Sequence, residues 1–246
     1  MCRMLLAAGK FDTPLLFKGL KRMALDENER HEENEKELCQ HGDGWGIIFL
    51  HHNTLQSFKS AKPCYDDPQF EAFAKISTQF LVLHARRASK GSISEQNSHP
   101  FSTNYKNDHY FFFHNGTIYE ELSFSPQFIR GGTTDSEMFF YHILTHFQPE
   151  KPIDSFSAIF KNITKFSAIN SIFGNSQYAL VVNRFQINPN YYAMKSSSDE
   201  NSLIVSSEVL PGFEFRNWEK LSNGTLLKIP VNNSKIQFEK YQLSVN

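Results

Sequence analysis

Cys2 is the residue from which the chemistry of this sequence opens. A cysteine directly behind the first methionine acquires a free α-amine if that methionine is removed. A free thiol has a pKa of about 8.5 and a free α-amine one of about 7.7–8.0, so a proton passes between them at little cost near neutral pH. Nucleophile and base then reside in one residue, and the amine can later protonate a leaving amine. Three further places supply what attack on an amide carbonyl needs. Asn115-Gly116 can offer a side-chain amide and an unobstructed backbone N–H to a developing oxyanion, although Asn-Gly is also a common hairpin turn. Arg86 can hold a carboxylate in a bidentate pair, or form an ordinary ion pair. Asp135 can pair with an ammonium group or cap a helix, or do both, because a carboxylate has two oxygens. Each feature alone has an ordinary structural explanation. Their coincidence favours the chemical one.

The 10 histidines do not suggest a metal centre. His142 and His146 are one helical turn apart, but no glutamate completes an H-E-x-x-H pattern and no cysteine joins them. Cys2, Cys39 and Cys64 are odd in number and far apart, so neither a disulfide framework nor a zinc site is expected. No cofactor is implied.

The candidate residues stand at the ends of patterned segments, where a rigid scaffold presents functional side chains. CRMLLAA reads as a short buried strand. QFLVLHARRAS is a buried strand ending in Arg86 and Arg87, which must face opposite sides. HYFFFHNGTI is an aromatic strand running into an Asn-Gly turn. TTDSEMFFYHILTHF starts with Thr134 or Asp135 as N-cap and continues as an amphipathic helix. Around these, TPLLFKGLKRMALDENERHEENEKEL has helical spacing and then becomes polar, and GWGIIFLHH and TLQSFKS read as a hairpin turning at His52-Asn53. DPQFEAFAKIS carries an Asp-Pro helix start, NSHPFST is a loop, and SFSAIFKNITKFSAI is a second central helix. The last third reads as strands: QYALVVNRFQI, YYAMKS, SLIVSSE, TLLKIPV and IQFEKYQL. Strands, a central pair of helices, then strands make an α+β pattern rather than a βαβ alternation.

The 246 residues suit one domain, read as spanning 2–246, and 40% apolar content places the chain among globular proteins. Lys plus Arg is 25 and Asp plus Glu is 26, so no basic excess points to nucleic acid or an anionic membrane. The 24 phenylalanines are read as core. The acidic run Asp26 to Leu38 reads as a solvated helix or loop. MLLAAG is too short for a secretion signal and no apolar stretch reaches spanning length, so a cytoplasmic location is expected.

Taken together, Met1-Cys2-Arg3, HGDGWG (41–46), HARRAS (84–89), NSHPF (97–101), HNG (114–116) and TDSE (134–137) resemble class II glutamine amidotransferases, within the N-terminal-nucleophile hydrolases, and above all their stand-alone YafJ-type members. The resemblance implies a four-layer αββα sandwich of two antiparallel sheets between helix layers. It implies that Cys2 becomes the N-terminal nucleophile, that Asn115 and Gly116 form the oxyanion hole, and that Arg86 and Asp135 bind the α-carboxylate and α-ammonium of glutamine. Ser89 would stand near the substrate carboxylate, and His99 and the GDGWG loop would shape the pocket. The implied reaction is cleavage of the γ-amide of glutamine, or of a γ-glutamyl compound, through a cysteine thioester. Any enzyme accepting the ammonia would be a separate protein. Arg87 and Lys90 depart from the Trp and His of glucosamine-synthase relatives. A module of the same fold that binds glutamine without catalysis is the alternative.

Overall fold

The computed structural model describes residues 2–27, 39–232 and 237–243. Strand β1 (Arg3–Gly9) is buried along its whole length. With β2 (Trp45–His51), β3 (Thr54–Ser60), β4 (Phe80–Ala85), β9 (Lys195–Ser198), β10 (Ser202–Ser206) and β11 (Glu219–Lys220) it forms one sheet. Its order is β11-β9-β10-β1-β4-β2-β3. A second sheet contains β5 (Phe101–Tyr105), β6 (Asp108–Ile118), β7 (Phe166–Gly174), β8 (Tyr178–Asn183), β12 (Thr225–Pro230) and β13 (Glu239–Gln242), in the order β13-β12-β8-β7-β6-β5. The paired strands of both sheets run antiparallel.

Period-two alternation sends successive side chains into different apolar layers. Met4, Leu6 and Ala8 of β1 and Phe80 and Val82 of β4 face Phe111 and Phe113 of β6 and Ile172 of β7 across the gap between the sheets. Leu5, Ala7, Leu81 and Leu83 point the other way, against Leu16, Phe17 and Leu20 of α1 (Thr13–Ala24) and Phe70 of α2 (Pro68–Phe73). On the far side, Phe112, Ile169 and Phe173 meet α3 (Asp135–His146) and α4 (Pro152–Lys161) through Phe139, Phe140 and Phe156. Three apolar interfaces separate four layers, and the arrangement is the αββα sandwich that the resemblance implies. Phenylalanine fills all three, and each such ring contributes about 1.5–3 kcal/mol by leaving water.

Local signals agree with these elements where they act through the backbone. Asp12 caps α1, Asp67 caps α2 ahead of Pro68, and Thr134 rather than Asp135 caps α3, accepting from the Glu137 N–H. The hairpin turns at His52 and Asn53, both at positive φ. Four readings need correction. NSHPFST is a loop only as far as Pro100, because β5 opens at Phe101. Asn115-Gly116 is not a turn: β6 continues through it to Ile118, with a register shift between Gly116 and Ile118. The helix read over SFSAIFKNITKFSAI stops at Lys161, and Phe166 opens β7, all nine residues of which are buried. Burial on both faces decides for a strand there, over a local pattern equally compatible with a helix. YYAMKS divides into the end of a one-turn helix, α5 (Pro189–Tyr192), and the start of β9. Most of the acidic run, residues 28–38, lies outside the described residues. Among the described residues, no helix is long and apolar enough to cross a membrane.

Candidate active site

Alternation in the strands converges three of the candidate residues. Met4, Leu6 and Ala8 face the gap between the sheets, so Cys2, immediately before β1, belongs to the same face. Val82 likewise puts Arg86 on the gap side at the end of β4, and Phe113 puts Asn115 there from the opposite sheet. Arg3 pairs with Ala85, so the start of β1 and the end of β4 lie side by side.

Arg86 is 3% exposed. Its Nη1 donates to the carbonyls of Asp43 (3.3 Å) and Ser92 (3.1 Å), and its Nη2 to those of Lys90 (3.0 Å) and Gly91 (3.3 Å). The HGDGWG loop is stitched to the same stretch. Asp43 N donates to Arg86 O, Arg86 N to Gly44 O, and Ala88 N to Asp43 Oδ2 at 2.7 Å. Burial lowers the guanidinium pKa from its ordinary value, while Cys2, Asp43 and Asp135 favour its charged form. Arg87 turns away and its guanidinium meets the Cys39 sulfur. Trp45 also points outward, into the layer beneath α2, with Nε1 on Asp67.

The oxyanion candidates sit in a strained stretch of β6. Gly116 has φ +151°, and a Cβ there would overlap the Ala168 carbonyl. The Asn115 side chain is buried, and its Oδ1 has no hydrogen-bond partner among the described residues. After the register shift, Thr117 N donates to Ser167 Oγ and Ile118 N to Asp135 Oδ2 at 2.7 Å. Asp135 thus uses one oxygen to tie the first turn of α3 to the shifted strand. His114 adds a second tie, with Nδ1 2.9 Å from Ser136 Oγ. Ser89 is exposed, its Oγ 3.1 Å from Thr117 Oγ1, and therefore borders the same stretch.

The Cys2 thiol is half-buried and donates to the Arg87 carbonyl at 3.6 Å. Burial pushes its pKa up; the Arg86 charge opposes that shift and the Asp135 charge adds to it. The resting thiol is therefore protonated and needs a base. Cys2 thus lies within the electrostatic reach of both Arg86 and Asp135.

His99 lies deeper, its ring centroid 4.2 Å from that of His84 and stacked at 15° on Phe113. The ring nitrogens of both histidines are buried with no hydrogen-bond partner among the described residues. Burial draws His84 down to about 3 and His99 well below its ordinary value, so both stay neutral. The His99 ring packs against His84, Phe101 and Phe113. Two supports had no separate assignment from the sequence. Asp43 fastens Ala88, and Arg3, next to Cys2 in the chain, pairs with Glu208 at 2.7 Å in a buried ion pair. Burial works against the Arg3 charge, but Glu208 and Tyr191 outweigh it and hold the pKa above its ordinary value. A glutamate at the end of the strand-like run SLIVSSE was the one available signal.

Comparison with known proteins gives the family. Residues 30–183, more than half of the chain, match the family of class-II glutamine amidotransferases. Over 138 residues the chain is 31% identical to YafJ of Escherichia coli, provisionally named a glutamine amidotransferase, covering 52% of each chain. The chain spans about half the length of the curated relatives it matches. Among solved structures, the glutamine phosphoribosylpyrophosphate amidotransferase of B. subtilis superimposes with a TM-score of 0.68 at 16% identity, over 100% of this chain and 50% of that one. A glutamine aminotransferase class-II domain protein from Silicibacter pomeroyi does so with a TM-score of 0.60 at 14% identity, over 99% of this chain and 100% of that one. At these identities the structural likeness concerns the fold, whereas the sequence match carries the assignment: this chain belongs to the class-II glutamine amidotransferase family.

Proposed function

We propose that the protein cleaves γ-glutamyl amide bonds, with glutamine as the default substrate, through a thioester on Cys2. One observation carries this reading. Arg86 and Asp135 are buried charges of opposite sign, both felt by the Cys2 thiol, and neither has an ion-pair partner within 4.0 Å among the described residues. Buried charges cost several kcal/mol each unless paired. The α-carboxylate and α-ammonium of an amino acid supply both partners at once, and the amide at the far end of the side chain then reaches the thiol.

With its α-amine free, Cys2 loses its thiol proton to that amine and the sulfur attacks the amide carbon. Asn115 Nδ2 and Gly116 N–H stabilise the oxyanion, a contribution worth on the order of 10²–10³ in turnover per donor in other acyl-transfer enzymes. The protonated amine gives its proton to the departing nitrogen, which leaves as ammonia or an amine. Water then attacks the thioester carbonyl, releasing glutamate and regenerating the thiol. Ser89 lies at the edge of the head-group site.

The test is hydrolysis of a γ-glutamyl panel by protein whose mature N-terminus has been verified by intact mass. A strong preference for glutamine fits delivery of ammonia to a separate acceptor enzyme. A preference for glutathione or γ-glutamyl amines fits a hydrolase acting alone. No turnover on any member, or retention of Met1, would sink the catalytic reading and leave a glutamine-binding module.

Selective labelling checks the nucleophile independently. A glutamine-shaped electrophile is expected to alkylate Cys2 ahead of Cys39 and Cys64 at pH 8, read by peptide mapping. Cys64 is fully buried and its thiol is pushed up to about 12, so it holds almost no thiolate there. Equal labelling of all three cysteines would count against an activated Cys2.

A further inference from the structure

The NSHPF segment contributes Asn97, a buried side chain not used by the chemistry above. Its amide joins the two loops that carry the opposite charges of the site. Nδ2 donates to Ser92 O at 3.0 Å, and that carbonyl also accepts from Arg86 Nη1 at 3.1 Å. Both acceptor positions of one carbonyl are thus occupied, one by the cation of the site and one by Asn97. On its other side, Asn97 Oδ1 accepts from Thr133 N at 2.8 Å. Thr133 directly precedes Thr134, the N-cap of the helix that begins with Asp135. A continuous chain therefore runs from Arg86 through Ser92, Asn97 and Thr133 to Asp135. The two groups approach closely, since a Cβ on Gly132 would overlap Asn97 Oδ1.

We infer that Asn97 is a positioning residue that sets the distance between Arg86 and Asp135, and through it the selectivity for a ligand carrying both an α-carboxylate and an α-ammonium group. This rests on the head-group reading of those two residues. An amide suits the task because the Ser92 side needs a donor and the Thr133 side an acceptor, and a single planar group offers both at a fixed separation. Without it, each loop keeps its other bonds but the two are no longer held in register. Displacement of about 1 Å in a positioned group can cost up to about 10²-fold.

Two variants and two substrates test this. Asn97→Ala is expected to raise KM for glutamine by about 10- to 100-fold, more than it lowers kcat. Its preference for glutamine over glutaramate, which lacks the α-ammonium group, is expected to shrink by a similar factor. Asn97→Asp keeps an acceptor for Thr133 N but sets an oxygen against Ser92 O, so the bridge opens on the Ser92 side, KM rises and that preference shrinks as well. Thermal unfolding of each variant identifies folded protein, and if Asn97→Ala does not fold, the Asn97→Asp result decides alone. An unchanged KM in the folded variants, or a loss confined to kcat, would overturn the inference. If the unmodified protein hydrolyses no γ-glutamyl compound, the hydrolase reading fails instead. Calorimetric titration with glutamine and glutaramate then measures the same selectivity, and equal glutamine affinity with and without Asn97 overturns it.

Discussion

Replacing Cys2 with alanine is expected to abolish hydrolysis of every γ-glutamyl substrate while leaving glutamine binding within a few-fold of the parent protein. The two effects separate because the contacts separate. Arg86 is held by the carbonyls of Asp43, Lys90, Gly91 and Ser92, and Asp135 by the Ile118 N–H. Neither arrangement depends on the Cys2 sulfur. Removing the nucleophile of an acyl-transfer enzyme costs on the order of 10⁶ in turnover in the best-studied case. Ammonia release in a coupled assay measures the loss, and calorimetry on the same sample measures retention of the ligand. Turnover unchanged from the parent would refute the thioester mechanism. Loss of binding along with turnover would mean that Cys2 also helps to build the head-group site.

The second large effect concerns Gly116. Gly116→Ala is expected to cost about 2–4 kcal/mol of stability and most of the activity together. At φ +151° any L-residue is strained, and the added methyl would overlap the Ala168 carbonyl of the neighbouring β7. Relieving that overlap requires the two strands to part where the register shifts, two residues before the Ile118 N–H reaches Asp135. Asn115, Gly116 and the Ile118 N–H that anchors Asp135 would move as one. Gly131→Ala is the matched control: its Cβ would meet only Glu137 Oε1, at an ordinary 3.7 Å. Urea unfolding midpoints and hydrolysis rates for the two variants should therefore differ sharply. Equal stability of both variants would show that the strand tolerates a side chain at 116, and that the positive φ is not enforced by the sheet.

Much of this organisation was legible beforehand, and particular residues explain where legibility stopped. β1, β2, β3 and β4 could be read because their signals are local: apolar runs, a turn at His52-Asn53, and caps at Asp67 and Thr134 acting on backbone a few residues away. The helix misread across SFSAIFKNITKFSAI failed because β7 is buried on both faces, and a strand covered on both faces loses the alternation by which strands are recognised. Asn115-Gly116 failed as a turn for a related reason. The dipeptide favours positive φ, and whether that freedom makes a hairpin or a shifted strand depends on the neighbour at Ala168.

The sequence by itself determined the residue types: a thiol that can be joined to an amine, an arginine, an aspartate and an amide beside a glycine, each at the end of a patterned segment. It also carried the order of motifs from which the family can be recognised. Only the tertiary structure decided that Cys2, Arg86 and Asn115 face one gap between two sheets. Only there does Arg86 spend its donors on four loop carbonyls, Asp135 accept from the Ile118 N–H of the shifted strand, and Asn97 bridge their loops. These outcomes depend on strand register and on contacts between residues far apart in the chain, such as Arg3 with Ala85 and Asn97 with Thr133. A local pattern specifies which face of an element a side chain occupies. Which other element that face meets is set by packing of the whole sandwich.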